Sequence, residues 1–214
     1  MTEAPGRFVA FEGIEGAGKS TQVARLAENV RRRGYEVVET CEPGGTPFGR
    51  HLRDLVMKPR DEPPMALTEL LLYLADRAQH VEQLILPALE RGAVVLCDRF
   101  SGSTIAYQGY GRGLDLDVVT RLDAAARRGL WPHLTVLLDC PLELGLRRAT
   151  GDDRMQRERI EFHRRVQKGF YRLADDDATW TMVSSEAPPE RVAEEILAAV
   201  EAILPARPAA DSAR

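Results

Sequence analysis

Gly13-Ile14-Glu15-Gly16-Ala17-Gly18-Lys19-Ser20 is a complete G-x-x-x-x-G-K-[ST] pattern, and its setting decides how the rest of the chain folds. The short apolar run Phe8–Phe11 precedes it. Val23, Leu26, Ala27 and Val30 follow at i, i+3, i+4 and i+7, the period of a helix face, and Gly34 supplies a stop. Strand, glycine-rich turn and helix in that order predict a loop whose backbone N–H groups turn inward around phosphate oxygens at a helix N-terminus. Lys19 then reaches the β- and γ-phosphates of a nucleotide, and the Ser20 hydroxyl can hold Mg²⁺. The candidate ATP site is the loop Gly13, Ile14, Glu15, Gly16, Ala17, Gly18, Lys19, Ser20 with Thr21 beyond it.

Outward from the loop, apolar runs alternate with longer helical patterns, the signature of a parallel α/β sheet. Strands are expected at Phe8–Phe11, Glu36–Thr40, Ala93–Cys97, Leu134–Asp139 and Trp180–Val183. The strongest are apolar throughout, as strands covered on both faces must be. Leu67, Leu71, Leu74, Ala78, Val81 and Ile85 form the expected core stripe of a long helix, kinked or ended near Pro87. The last helix carries Val192, Ile196, Val200 and Ile203 between Pro189 and Pro205. A single domain over residues 1–204 is expected, with residues 205–214 an Ala/Pro-rich disordered tail.

The 214 residues carry a formal charge of −4, which gives no general attraction to nucleic acid or to an anionic membrane. Any phosphate must be held by a few placed cations. Cys41, Cys97 and Cys140 lack metal-site spacing and suit a reducing compartment. No signal peptide and no span of membrane length is visible, so a cytoplasmic protein is expected. Asn29 is the only asparagine, which excludes the N-K-x-D base-reading motif of a GTPase switch. A kinase of small molecules or nucleotides fits the length. When the acceptor is itself a phosphate no general base is needed, and catalysis reduces to positioning and charge neutralisation. The residues alone leave open which acceptor is used, and also a nucleotide-binding regulator.

Further segments carry a resemblance. They are Glu42-Pro43-Gly44-Gly45-Thr46, Asp98-Arg99-Phe100, Ser103-Thr104-Ile105-Ala106-Tyr107-Gln108-Gly109, Gly111-Arg112-Gly113, Leu138-Asp139-Cys140-Pro141, Gly145-Leu146-Arg147-Arg148-Ala149 and Asp153-Arg154. With the loop, in this order, they make the chain resemble bacterial thymidylate kinases over residues 7 to 204. The resemblance implies a P-loop NTPase-type, doubly wound five-stranded parallel sheet of order 2-3-1-4-5, helices on both faces, and a short lid over about residues 147–159. It implies transfer of the γ-phosphoryl of ATP to dTMP with Mg²⁺, and a homodimer. On it Arg99 clamps the acceptor phosphate, Asp98 lies near Mg²⁺ with Ser20, and Glu15 accepts the 3′-hydroxyl proton of the acceptor sugar. Tyr73 stacks on thymine, Arg77, Thr104 and Gln108 contact the base, and Tyr107 crowds the ribose 2′ position. Glu42 belongs to the acceptor site, Arg148 stacks on adenine, and Arg154 is the lid cation. The plainer readings are an exposed cation–π pair for Tyr73 and Arg77, and solvated charge for any one lid arginine.

The chain also departs from that pattern. Cys41 stands where an arginine is usual, so Arg53 or Arg99 must carry more of the phosphate contact. Gly16 follows Glu15, where another form of the family has an arginine. The lid retains only Thr150-Gly151-Asp152 of a longer basic loop, and Gln156 replaces a glutamate.

Overall fold

The computed structural model describes residues 5–150 and 153–205. Residues 206–214 of the expected tail, and Gly151 and Asp152 of the lid, lie outside the described residues. Pro205 is packed, its carbonyl accepting the Tyr35 hydroxyl at 2.8 Å.

Five strands, β1 (Arg7–Glu12), β2 (Val37–Cys41), β3 (Val94–Asp98), β4 (Leu134–Asp139) and β5 (Trp180–Ser184), form one all-parallel sheet of order β2-β3-β1-β4-β5. The order is the expected one. Alternation along β1 shows why the inner strands are apolar throughout. Val9 and Phe11 pack with Leu26, Val30 and Ile196 on one face, while Phe8 and Ala10 meet Ile85 and Leu89 on the other. Helices α1 (Lys19–Arg32) and α9 (Pro189–Glu201) supply the first cover. Gly34, at φ 86°, turns the chain out of α1.

On the second face, α2 (Pro47–Met57) leads to α3 (Ala66–His80). α3 widens into a π-helical turn at Val81–Ile85 and resumes as α4 (Leu86–Glu90). The wide turn absorbs Pro87, whose ring would clash within a regular helix. After β3 come α5 (Ser101–Thr104), a second π-helical stretch Ile105–Gly111, and α6 (Leu116–Ala126). α7 (Leu142–Arg148) and α8 (Ile160–Asp176) lie on either side of most of the expected lid segment.

The expected stripe departs from the observed one at its first two positions. Leu67 and Leu71 are half exposed, whereas Leu70 and Leu74 are buried with Glu69, Asp76, Arg77 and His80. The inward face thus carries charge, tolerated because most of it is paired across the fold. Leu74, Val81 and Ile85 of the expected stripe are buried as expected, so apolar periodicity misleads only over the first turns of the helix.

Candidate active site

β1 is central, with β3 and β4 on either side, so the loops leaving β1 and β3 open at the point where the sheet order reverses. A cleft of about 550 Å³ lies there. The phosphate loop lines it through Glu15, Gly16, Gly18, Lys19 and Ser20. Gly13, Gly16 and Gly18 have φ of 138°, 70° and 93°, values that L side chains rarely adopt. At Gly16 the constraint is also spatial, because a Cβ would sit 2.0 Å from the Gly145 carbonyl of α7. The backbone approach between loop and lid base therefore excludes an arginine at this position.

The Lys19 ammonium donates to the Gly13 and Ile14 carbonyls at 3.0 and 2.8 Å. Burial, reinforced by the Arg99 charge, lowers its pKa to about 8 against the pull of Asp98, Glu15 and Glu12. A phosphate at this ammonium would oppose the shift. Ser20 donates to Asp98 Oδ2 at 2.5 Å. The pair joins a hydroxyl and a carboxylate beside the loop, hard oxygen donors of the kind that Mg²⁺ takes when phosphates complete its shell.

Arg99 leaves β3 with φ 72°, a conformation uncommon outside glycine, and its amide is held by the Phe11 carbonyl at 2.9 Å. Its guanidinium donates to the Gly13 carbonyl and Ser103 Oγ, both at 3.0 Å, and to Glu15 Oε1 at 3.1 Å. It lies 5.1 Å over the Tyr107 ring. The Tyr107 hydroxyl in turn approaches both Glu15 oxygens, at 2.8 and 2.7 Å. Burial raises the Glu15 pKa, but Arg99, Lys19 and Tyr107 outweigh it and hold the carboxyl ionised below its usual range.

The cleft is also lined by Tyr73, Arg77, Phe100, Thr104 and Gln108. Arg77 is 2% exposed, which removes the surface cation–π alternative. Its Nε donates to Glu42 Oε2 at 2.8 Å, and its Nη1 donates to Thr104 Oγ1 at 2.9 Å and Asp123 Oδ1 at 2.5 Å. It stacks on Phe100 and not on Tyr73. Tyr73 donates to Met57 Sδ at 3.4 Å. Gln108 donates to Glu69 at 2.9 Å, and Arg53 to the Pro43 carbonyl at 2.8 Å.

The cleft thus gathers Glu15, Gly16, Gly18, Lys19, Ser20, Thr21, Glu42, Arg53, Asp98, Arg99, Tyr107 and Arg148 with Tyr73, Arg77, Thr104 and Gln108. Gly13, Ile14 and Ala17 form the loop without facing the cleft. Arg148 also donates to the Ser185 carbonyl at 3.1 Å. Arg154 stands apart. Its guanidinium bonds Glu69 and the Val56 carbonyl, and its amide bonds the Met57 carbonyl. These bonds tie the segment around Arg154 to α2 and α3.

Sequence reading missed the carboxylates behind the cleft. Glu12, fully buried at the end of β1, accepts the Phe100 and Ser103 amides at 3.0 and 2.9 Å and the Ser103 hydroxyl at 2.5 Å. It holds the turn that presents Arg99, and burial raises its pKa against those contacts. Glu69 gathers Gln108, Arg112 and Arg154. Asp123 joins Arg77, Ser101 and Arg127. An acid closing an unbroken apolar strand was the one signal available for Glu12.

The sheet order, the glycine cradle at its reversal point and the arginine-bearing end of β3 define a P-loop NTPase-type fold. Comparison with known proteins narrows the class. The profile of the family described as thymidylate kinase matches residues 11–196. A thymidylate kinase of Synechococcus sp. (strain JA-2-3B'a(2-13)) is 50% identical over 199 residues, covering 92% of this chain and 96% of the relative. One from Halothermothrix orenii is 48% identical over 205 residues, covering 93% and 98%. The crystal structure of thymidylate kinase from Ehrlichia chaffeensis superposes with a TM-score of 0.76 at 32% identity, covering 91% and 98%. The chain belongs to the thymidylate kinase family.

Proposed function

We propose that this chain transfers the γ-phosphoryl of ATP to the phosphate of dTMP, giving ADP and dTDP. The observation that carries the reading is one cleft lined together by Lys19 and residues of its loop, by Tyr73, Arg77 and Gln108, and by Arg99, whose guanidinium also bonds the Gly13 carbonyl of the loop. The acceptor phosphate is already anionic, so no side chain has to take a proton from the attacking oxygen. Lys19 exchanges loop carbonyls for β- and γ-oxygens. Arg99 turns from Glu15 and Ser103 to the acceptor phosphate, where its planar fork suits bidentate binding. Arg53 lends a second cation in place of the arginine that Cys41 replaces.

Glu15 accepts the acceptor 3′-hydroxyl and so fixes the sugar, while the Tyr107 ring fills the space of a 2′-hydroxyl. Thymine stacks on Tyr73, with Arg77, Thr104 and Gln108 along its edge. Arg148 lies against adenine. Arg154 reaches the phosphates only by leaving Glu69, a movement we assign to lid closure. Mg²⁺ would be held by Ser20 and Asp98, and when bound it neutralises charge on the ATP phosphates.

The exposed apolar residues Phe48 and Leu55 on α2, Leu67 and Leu71 on α3, and Leu116, Val118 and Leu122 on α6 support a homodimer packed through these helices. The three free cysteines are compatible with a cytoplasmic enzyme. Among the described residues, no helix is long and apolar enough to cross a membrane.

An acceptor panel tests the assignment. ADP release with ATP and Mg²⁺ is expected to be fastest with dTMP and much slower with thymidine, deoxyuridine or cytidylate. No stimulation by dTMP would leave only nucleotide binding, and faster turnover of another acceptor would reassign the substrate.

A further inference from the structure

We propose that His80, which lies behind the cleft wall, is a positioning residue for the acceptor site: through Glu42 it sets where the Arg77 guanidinium points. This rests on the reading that Arg77 meets the acceptor base.

His80 is fully buried at the end of α3. Its Nδ1 lies 2.8 Å from Glu42 Oε1 and its Nε2 lies 2.7 Å from Thr40 Oγ1. An ionised carboxylate can only accept, so Nδ1 carries the proton, and the Nε2 lone pair is left for the Thr40 hydroxyl. The second Glu42 oxygen takes Arg77 Nε at 2.8 Å and Nη2 at 2.7 Å. Arg77 then continues to Thr104 and Asp123. A line of hydrogen bonds therefore runs from β2 through His80 and Glu42 to the guanidinium, and on to α5 and α6. These contacts occupy four of the five guanidinium N–H groups, two of them through Glu42 and two through Thr104 and Asp123, so the direction of the remaining Nη2 N–H shifts if Glu42 shifts.

Gly45 presses the loop after β2 onto this line. A Cβ there would lie 2.5 Å from both His80 Nε2 and Thr40 Oγ1. The backbone thus sits against the imidazole–hydroxyl pair itself. Packing alone would need only a ring-sized group at position 80. Two aligned hydrogen bonds, one of them to the carboxylate that orients Arg77, are what an imidazole adds. Without the Nδ1 donor, Glu42 Oε1 is a buried oxygen lacking that partner, and its carboxylate can rotate and carry Arg77 with it.

The test compares His80→Asn with His80→Gln in the full chain. The Asn amide nitrogen can stand where Nδ1 does and keep the bond to Glu42, whereas the Gln amide reaches the Nε2 position and keeps only Thr40. His80→Gln is expected to raise KM for dTMP about tenfold, and His80→Asn less than about threefold, with KM for ATP unchanged in both. Tm should fall similarly in both. Equal effects of the two variants on dTMP, or equal effects on dTMP and ATP, would overturn the proposal. Should the His80 variants fail to fold, Thr40→Val tests the same line from its far end, with a two- to threefold rise in KM for dTMP alone expected at roughly one weakened bond. No rise there refutes it. Glu42→Gln separates the two levels. If it raises KM for dTMP while His80→Gln does not, the acceptor reading stands and the role of His80 fails; if neither raises it, both fail.

Discussion

Tyr107→Phe removes one oxygen from the cleft and leaves its ring in place. That oxygen is 2.8 and 2.7 Å from the two Glu15 oxygens, and the ring lies under Arg99 at 5.1 Å. A hydrogen bond to a charged group contributes about 1.5–3 kcal/mol, which corresponds to roughly 10- to 150-fold in rate or affinity. Without the hydroxyl, Glu15 leans more on Arg99, with Lys19 and, at 3.8 Å, His163 Nδ1 its other neighbours, and the guanidinium is drawn away from the acceptor phosphate. kcat/KM for dTMP in a coupled ADP-release assay should therefore fall about 10- to 100-fold. The ring remains, so the preference for dTMP over its 2′-hydroxy analogue should survive. Activity within twofold of the parent would refute the role of Tyr107 in orienting Glu15. Loss of the sugar preference would show that the hydroxyl, not ring crowding, excludes the ribonucleotide.

Gly16→Arg installs the cation found in the family's other form, yet the 2.0 Å approach to the Gly145 carbonyl and the φ of 70° should make it lose activity and several degrees of Tm; a faster enzyme would contradict this. Asp76 is buried, one oxygen accepting the Gly44 amide at 3.1 Å, and burial together with Glu42 pushes its pKa from 3.8 up to about 6. The folded state therefore binds the extra proton between about pH 4 and 6, and the stability this confers is lost as pH rises through 6. Asp76→Asn should thus exceed the parent by up to about 3 kcal/mol in denaturant unfolding at neutral pH, with the gain gone at pH 4; a less stable Asn variant at neutral pH would sink the idea. Leu67→Glu with Leu71→Glu places charge on the exposed apolar face of α3 and should yield a monomer by sedimentation, where an unchanged mass would move the interface elsewhere.

The phosphate loop was legible because its constraint is local: glycine where φ is positive, and lysine and serine where a helix begins. Strand positions were legible because burial on both faces leaves β1, β3 and β4 without alternation. The inner face of α3 was not. Its Glu69, Asp76 and His80 look like surface residues, and only the resemblance places Arg77 inward, until partners such as Thr104, Glu42 and Asp123, 27 to 46 positions from Arg77, arrive beside it. For the same reason the spacing of Leu67 and Leu71 predicts core positions although both face outward. Arg154 illustrates the limit for roles: position in the lid suggests a phosphate contact, and only coordinates reveal the Glu69 anchor.

A crystal structure with a non-hydrolysable ATP analogue, Mg²⁺ and dTMP bound together bears most directly on the whole account. The γ-phosphate should rest on Lys19, thymine on Tyr73, and the acceptor oxygen should face the γ-phosphorus at roughly 3–3.5 Å beside Arg99. Acceptor density outside the cleft, or two phosphates that do not meet at Arg99, would contradict it.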